Sequence, residues 1–326
     1  MTDDLNPQPA LVQPLVELSG VSRNYGNVRA VNNLSFVLHP GEILGFLGPN
    51  GAGKSTTMQM ICGTLAPSAG SITIDGIDLL TDAVRAKQHI GYLPENPPVD
   101  LDATVDEYLH FCAQLHNVKK LQIAAALDSV KQRCGLTDVG KRLIGTLSKG
   151  YQQRVGIAQA LVHSPRIVVL DEPTVGLDPV QIRDIRNLIR EIGRDHGVIL
   201  STHILPEVQM VCNRVQIINH GELVFNNNIE HLNKQMQASR LLISCRQLPS
   251  EAELANLPGV QQVDMIDKQR ARLHYANEQN PAEILVERSV QEHWGLQELI
   301  PESHSLEQVF MNLIATDQII SNEVAA

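Results

Sequence analysis

The chain has 326 residues and a formal net charge of −10, from 26 Lys and Arg against 36 Asp and Glu. Its 43% apolar and 19% charged residues give an ordinary globular balance, which excludes wholesale disorder, and length alone suggests about two domains. The acidic excess and the 3% aromatic content exclude a broad nucleic-acid-binding surface. No uncharged apolar stretch is long enough to span a bilayer, and Asp3 and Asp4 stand where a secretory leader would carry Lys or Arg. Cysteines 62, 112, 134, 212 and 245 are odd in number and never spaced CxxC, which suggests buried thiols in a reduced cytoplasmic chain and no zinc site.

Residues 1–14 hold three prolines and no periodicity, and are expected to form a flexible tail. From Val16 to about Phe225 short apolar runs alternate with helical stretches. Ile43–Leu47, Ile167–Leu170, Val198–Ser201 and Val215–Ile218 read as buried strands. In Val180–Ile192 the residues Ile182, Ile185, Ile189 and Ile192 recur three or four apart, on one helical face. Strand, helix, strand predicts an α/β fold with a parallel sheet and right-handed crossovers. Asp102–His116, Lys119–Cys134 and Gln152–His163 read as helices with no strand between them, so a helical subdomain is expected at about 96–163. The whole first domain is expected at 15–230.

A second domain is expected at 235–326. Residues 226–326 carry 14 acids and 7 bases, so most of the negative charge lies in the last third. There the elements read strand (Leu241–Arg246), helix (Ser250–Leu257), strand (Val260–Ile266), strand (Arg272–Ala276), helix (Pro281–His293), strand (Leu296–Ile300) and helix (Ser305–Ile314). The first six follow the order of a ferredoxin-like α+β unit. Arg270 and Arg272 are expected on a solvated strand face, and nothing in this region points to chemistry.

The run Gly48, Pro49, Asn50, Gly51, Ala52, Gly53, Lys54, Ser55 matches G-x-x-x-x-G-K-[ST], after an apolar strand and before a helix through Met58–Cys62, with Thr56 a further candidate nucleotide-binding residue. Its glycines allow backbone N–H groups to turn inward as an anion nest, and the helix start adds partial positive charge. Lys54 is expected on the β- and γ-phosphates and the Ser55 hydroxyl on Mg2+. Strand Ile167–Leu170 ends in Asp171 and Glu172. Two carboxylates at the carboxyl end of a buried strand lie where open α/β sheets bind ligands. Asp171 is expected to hold Mg2+, directly or through water, and Glu172 to polarise the attacking water, as general base or as orienting group.

Between these motifs lies Leu147-Ser148-Lys149-Gly150-Tyr151-Gln152-Gln153-Arg154, and after them Gly176-Leu177-Asp178-Pro179 and Ser201-Thr202-His203. In content and order these resemble the ATP-binding subunits of ABC transporters over about residues 16–225. The resemblance implies a P-loop NTPase core that takes ATP and Mg2+. It also implies that Tyr25 stacks on adenine, that His203 contacts the γ-phosphate, and that Asp178 lies in a loop crossing a dimer interface. Ser148 and Gly150 would cap the γ-phosphate held by a second copy, so the working unit would be a homodimer with two ATP molecules in its interface.

Two positions depart from the family pattern. Lys149 and Tyr151 replace the third and fifth letters of Leu-Ser-Gly-Gly-Gln. Glu95, in Tyr92-Leu93-Pro94-Glu95, replaces a Gln that senses the metal and the membrane subunit; Glu95 can still coordinate, at the cost of an added negative charge. These variants resemble the subgroup that works with ABC-2-type exporters, and within it the gliding-motility-associated subunits, whose C-terminal regions close like Ser305–Phe310. The resemblance implies an ATPase that drives export through a separate ABC-2-type permease, peripheral on the inner face of the cytoplasmic membrane, without nucleic acid. Its docking place is expected near Tyr92–Glu95 and the helix Asp102–His116. The alternative is a soluble ABC-type ATPase acting on ribosomes or DNA. One core only, too few residues between Lys54 and Asp171 for a coiled-coil insertion, and an acidic last third speak against it.

Overall fold

In the computed structural model, residues 13–231, 240–276 and 279–302 are described. The chain divides after Ile229 into two compact units.

The first unit opens with period-two alternation. Val16, Leu18 and Val21 of β1 (Val16–Tyr25) are buried, as are Val31, Leu34, Phe36 and Leu38 of β2 (Val28–Leu38), while most residues between them face solvent. With β4 (Ala69–Ile74) and β5 (Ile77–Asp78) these strands form an antiparallel sheet in the order β2-β1-β4-β5. The sequence reading had not assigned this sheet, although the alternation is visible in it.

The second sheet of this unit has the order β10-β9-β3-β8-β7-β6. Its members are β3 (Ile43–Leu47), β6 (Ile90–Leu93), β7 (Ile167–Asp171), β8 (Gly197–Thr202), β9 (Arg214–Asn219) and β10 (Glu222–Asn228). Neighbours from β9 to β6 run parallel, and only β10 is antiparallel. Strands β3, β7 and β8 are buried along their full length, as their unbroken apolar runs predict. Leu47 pairs with Thr202, Asp171 with Ser201 and Leu93 with Leu170. The carboxyl ends of four adjacent strands are therefore aligned.

Around the sheet lie α1 (Lys54–Ile61), α2 (Ala83–Lys87), α6 (Pro179–Ile192) and α7 (Leu205–Val211). Helix α6 buries Ile185, Leu188, Ile189 and Ile192 on one face. Between β6 and β7 come α3 (Val105–Leu115), α4 (Lys120–Cys134) and α5 (Lys149–Leu161), with a single isolated bridge, Thr104 to Leu143, among them. Helix α3 starts in a capping box, the Thr104 hydroxyl accepting from Glu107 N while the Glu107 carboxylate accepts from Thr104 N. Arg133 fastens α4 to the core by donating to the Asp195 carboxylate at 2.8 Å and to the Glu191 carbonyl at 3.1 Å. The five cysteines are free and buried.

The second unit is β11 (Arg240–Cys245), α8 (Glu251–Ala255), β12 (Val260–Met265), β13 (Arg270–Tyr275), α9 (Ala282–Gln291) and β14 (Leu296–Glu302). Its antiparallel sheet has the order β12-β13-β11-β14, the ferredoxin-like arrangement. Leu241, Ile243, Leu254, Leu273 and Leu285 centre its own core. Arg272 is not simply solvated: half-buried, it forks onto the Glu302 carboxylate through Nε at 2.5 Å and Nη2 at 3.2 Å. Arg270 is exposed and pairs with Asp267. The predicted helix at Ser305–Ile314 lies outside the described residues.

Candidate functional site

The four aligned strand ends converge on a cavity of about 500 Å³ lined by Asn50, Gly51, Lys54, Glu95, Glu172 and His203, with Gly53, Ser55 and Thr56 at the start of α1. Each motif leaves a different strand: the glycine loop follows β3, His203 follows β8, Glu172 follows β7 and Glu95 follows β6.

The loop is held by backbone requirements. Gly53 has φ +105°, and a Cβ there would lie 2.5 Å from the Ala30 carbonyl oxygen. A Cβ on Gly48 would lie 2.4 Å from the Ile218 carbonyl oxygen. Only glycine fits both positions. Ala52 N donates to the Pro49 carbonyl, and the Ala52 carbonyl accepts from Gly221 N. Helix α1 begins with no side-chain cap and no acid in its first turn, so its first N–H groups and the positive end of its dipole face the cavity. Lys54 is 6% exposed and donates to the Gly48 and Pro49 carbonyls at 2.8 and 3.3 Å, with Glu172 Oε1 at 3.8 Å. Burial lowers its pKa from the usual lysine value, against the pull of Glu172, Asp171 and Glu95.

Asp171 ends β7, buried, and its Oδ1 has no hydrogen-bond partner among the described residues. Burial raises its pKa, the Ser201 and Ser55 hydroxyls oppose the rise, and the Glu95 charge adds to it. A buried carboxylate oxygen without a partner, beside a serine hydroxyl, suits a hard divalent cation. Among the described residues no cluster of three or more His, Cys, Asp or Glu could hold a metal alone.

Glu172 adopts φ +49°, a left-handed conformation that non-glycine residues rarely take. Its N–H donates to the Ser201 carbonyl at 2.9 Å. The carboxylate lies 2.9 and 3.0 Å from His203 Nδ1. A carboxylate only accepts, so the ring carries its proton on Nδ1. A neutral His203 in this arrangement spends its one ring N–H on Glu172.

Of the expected site residues, Gly48, Pro49, Ala52 and Asp171 are not part of the cavity lining although they belong to the elements that form it, and Tyr25, Asp178, Ser148 and Gly150 do not line it either. Tyr25 ends β1 on the antiparallel sheet, 47% exposed, with the Arg23 guanidinium 4.9 Å over its ring. Asp178 is the N-cap of α6, accepting from Val180 N at 3.0 Å and Gln181 N at 2.9 Å. Ser148 stands at the N-cap of α5 without making a capping bond. Gly150 packs on Gln181 of α6, where a Cβ would lie 2.6 Å from Cδ.

The sequence model of the ABC transporter family matches residues 31–175, from β2 past Glu172. The uncharacterized ABC transporter ATP-binding protein YhcH of Bacillus subtilis is 33% identical over 308 residues, 93% of this chain and 96% of its own length. The chain belongs to the ABC transporter ATP-binding proteins. Nod factor export ATP-binding protein I of Rhizobium meliloti is 34% identical over 64% of this chain and 63% of its own. Among solved structures, one described as an ATP-binding subunit of an ABC transporter superposes with a TM-score of 0.62 at 28% identity, over 68% of this chain and 92% of its own. As a member of that family the chain is an ATP-binding ATPase subunit of a transporter. The match to YhcH extends through the second unit.

Sequence reasoning missed Glu207. It is the only charged residue of α7 and sits in that helix's first turn, where an acid ordinarily faces solvent. In the fold it is buried.

Proposed function

We propose that this ATPase drives export through a separate ABC-2-type permease, as a head-to-tail homodimer that encloses two ATP molecules. The observation that carries the reading is the convergence of an uncapped helix start, Lys54, Glu95, Glu172 and His203 on one cavity at four aligned strand ends.

In this reading the N–H groups around Gly51 and Gly53 cradle the phosphates, and Lys54 neutralises the β- and γ-phosphates. Ser55, Asp171 and Glu95 would hold Mg2+, which when bound offsets charge on the β- and γ-oxygens. Glu172 takes a proton from the water that attacks the terminal phosphorus, the bond to ADP breaks, and phosphate is released. His203 keeps that carboxylate turned toward the cavity until it changes partner. Tyr25 packs on the base, and Asp178 stiffens the loop at the copy-to-copy interface. Ser148, its hydroxyl uncommitted to capping, and Gly150 serve the γ-phosphate of the second copy.

No helix among the described residues is long and apolar enough to cross a membrane. The transport path then belongs to a partner, and the chain works at the inner membrane face through it. Export is supported by the likeness to the Nod factor export ATP-binding protein of Rhizobium meliloti. The second unit, at about 235–326, serves as an accessory domain.

The decisive experiment uses Glu172→Gln. With ATP and Mg2+ it should bind nucleotide normally, lose about a thousandfold in turnover and sediment as a stable dimer. Parental turnover would remove Glu172 from the chemistry; a monomer at saturating ATP would remove the shared interface.

A further inference from the structure

Glu207, on α7, is the most enclosed carboxylate among the described residues, at 1% exposure, and the reading above gives it no task. Its Oε1 accepts from the Thr174 hydroxyl at 2.7 Å and from Arg186 Nη2 at 3.4 Å. Its Oε2 accepts from the Thr202 hydroxyl at 3.1 Å. The Thr202 oxygen in turn accepts from Ile204 N at 3.0 Å. Thr174 follows Glu172 by two residues on the way out of β7. Thr202 ends β8 and directly precedes His203. One carboxylate is thus tied to both strand exits, through one oxygen each.

We propose that Glu207 is a positioning residue for ATP hydrolysis. By holding Thr174 and Thr202 at a fixed separation, it sets the gap across which His203 grips the Glu172 carboxylate. Backbone pairing spaces the two strands as far as Ser201, through Asp171 and the Glu172 N–H; beyond it Glu172 is in a strained left-handed conformation and His203 is half-exposed on a loop, and Glu207 supplies the side-chain tie there. A buried acid is costly to desolvate, and three donors aimed at it compensate for that cost only while both threonines keep their places. The brace presupposes that Glu172 is the catalytic base.

The full-length chain tests it through a split between kcat and nucleotide affinity. Glu207→Gln keeps volume but removes the charge and one acceptor. It should lower kcat by roughly tenfold to a hundredfold, the effect of a small misplacement, while the Kd for ATP stays within about twofold. Thr174→Val should lower kcat in the same way, and Thr174→Ser, which restores the hydroxyl, should recover most of the loss. Thr174→Val added to Glu207→Gln should cost less than the sum of the two single losses, because both act on the same bond. Parental kcat in a folded Glu207→Gln chain, or additive losses, would overturn the brace. If Glu207→Gln does not fold, the Val and Ser pair at Thr174 decides, equal rates refuting it. A Glu172→Gln chain that still hydrolyses ATP would sink the assignment of the base instead.

Discussion

The two units handle charge in opposite ways. The first buries Lys54, Asp171, Glu172 and Glu207, all at or beside the carboxyl ends of β3, β7 and β8. Among its described residues the second buries no charged side chain; its only buried polar residues are Ser244 and Ser289. Its polar side chains pair on the sheet instead, Arg272 with Glu302 and His274 with Asp264. Burying a charge is unfavourable unless something opposes it, so such groups gather where a ligand or a reaction gives them a partner. Both units have apolar cores, but only the first carries the electrostatic strain of an active centre.

The contrast can be broken most directly at Lys54. Lys54→Ala should weaken ATP binding by roughly a hundredfold, since it removes a buried, hydrogen-bonded cation from the phosphate loop. Titration calorimetry with ATP and Mg2+ reads this, and unchanged affinity would mean that phosphate binds elsewhere. The opposite manipulation is Leu273→Ala, at the centre of the second core. It should destabilise that unit by about 3 kcal/mol in denaturant unfolding, with ATP affinity unchanged. A matching loss of ATP affinity would show the two units to be energetically one.

The smallest effect sharpens the comparison inside the first unit. His163 stacks on His116 with ring centroids 3.8 Å apart, and its Nε2 lies 3.1 Å from the Ile90 carbonyl. Burial, aided by the His116 charge, pulls the His163 pKa down to about 4. The unfolded chain binds this proton near pH 6.5, so it holds more protons than the fold between 6.5 and 4, and stability falls as pH falls through that window. From pH 6.5 to 5 the loss from His163 is at most about 1.5 kcal/mol. His163→Gln, which keeps a donor for Ile90, should remove that acid-side slope in thermal unfolding followed from pH 7.5 to 5. A variant with the parent's slope would place the titration elsewhere.

Much of this protein is legible in local sequence. Ile43–Leu47 is a strand with the predicted bounds, and α6 follows its isoleucine spacing within a residue. The glycine loop, the strand-helix-strand run from Ile167 to Ser201 and the order of elements in the second unit also follow from short-range pattern, because period and backbone freedom are properties of neighbouring residues. The antiparallel sheet was encoded in the alternation of Val16–Val21 and Leu34–Leu38, but its pairing with Ala69–Ile74 joins distant segments.

What only the tertiary structure decided lies between strands. No sequence spacing says that Thr174 and Thr202 share one acid, that His203 spends its ring proton on Glu172, or that Asp171 keeps an oxygen without a partner. Nor does it separate Asp178, engaged as a helix cap, from Ser148, which has the same position on its own helix but makes no cap bond. Composition and period fix which elements form, because those are local free energies. Which polar atoms meet is fixed by the register of parallel strands brought together from distant parts of the chain, and that register exists only once the sheet has assembled.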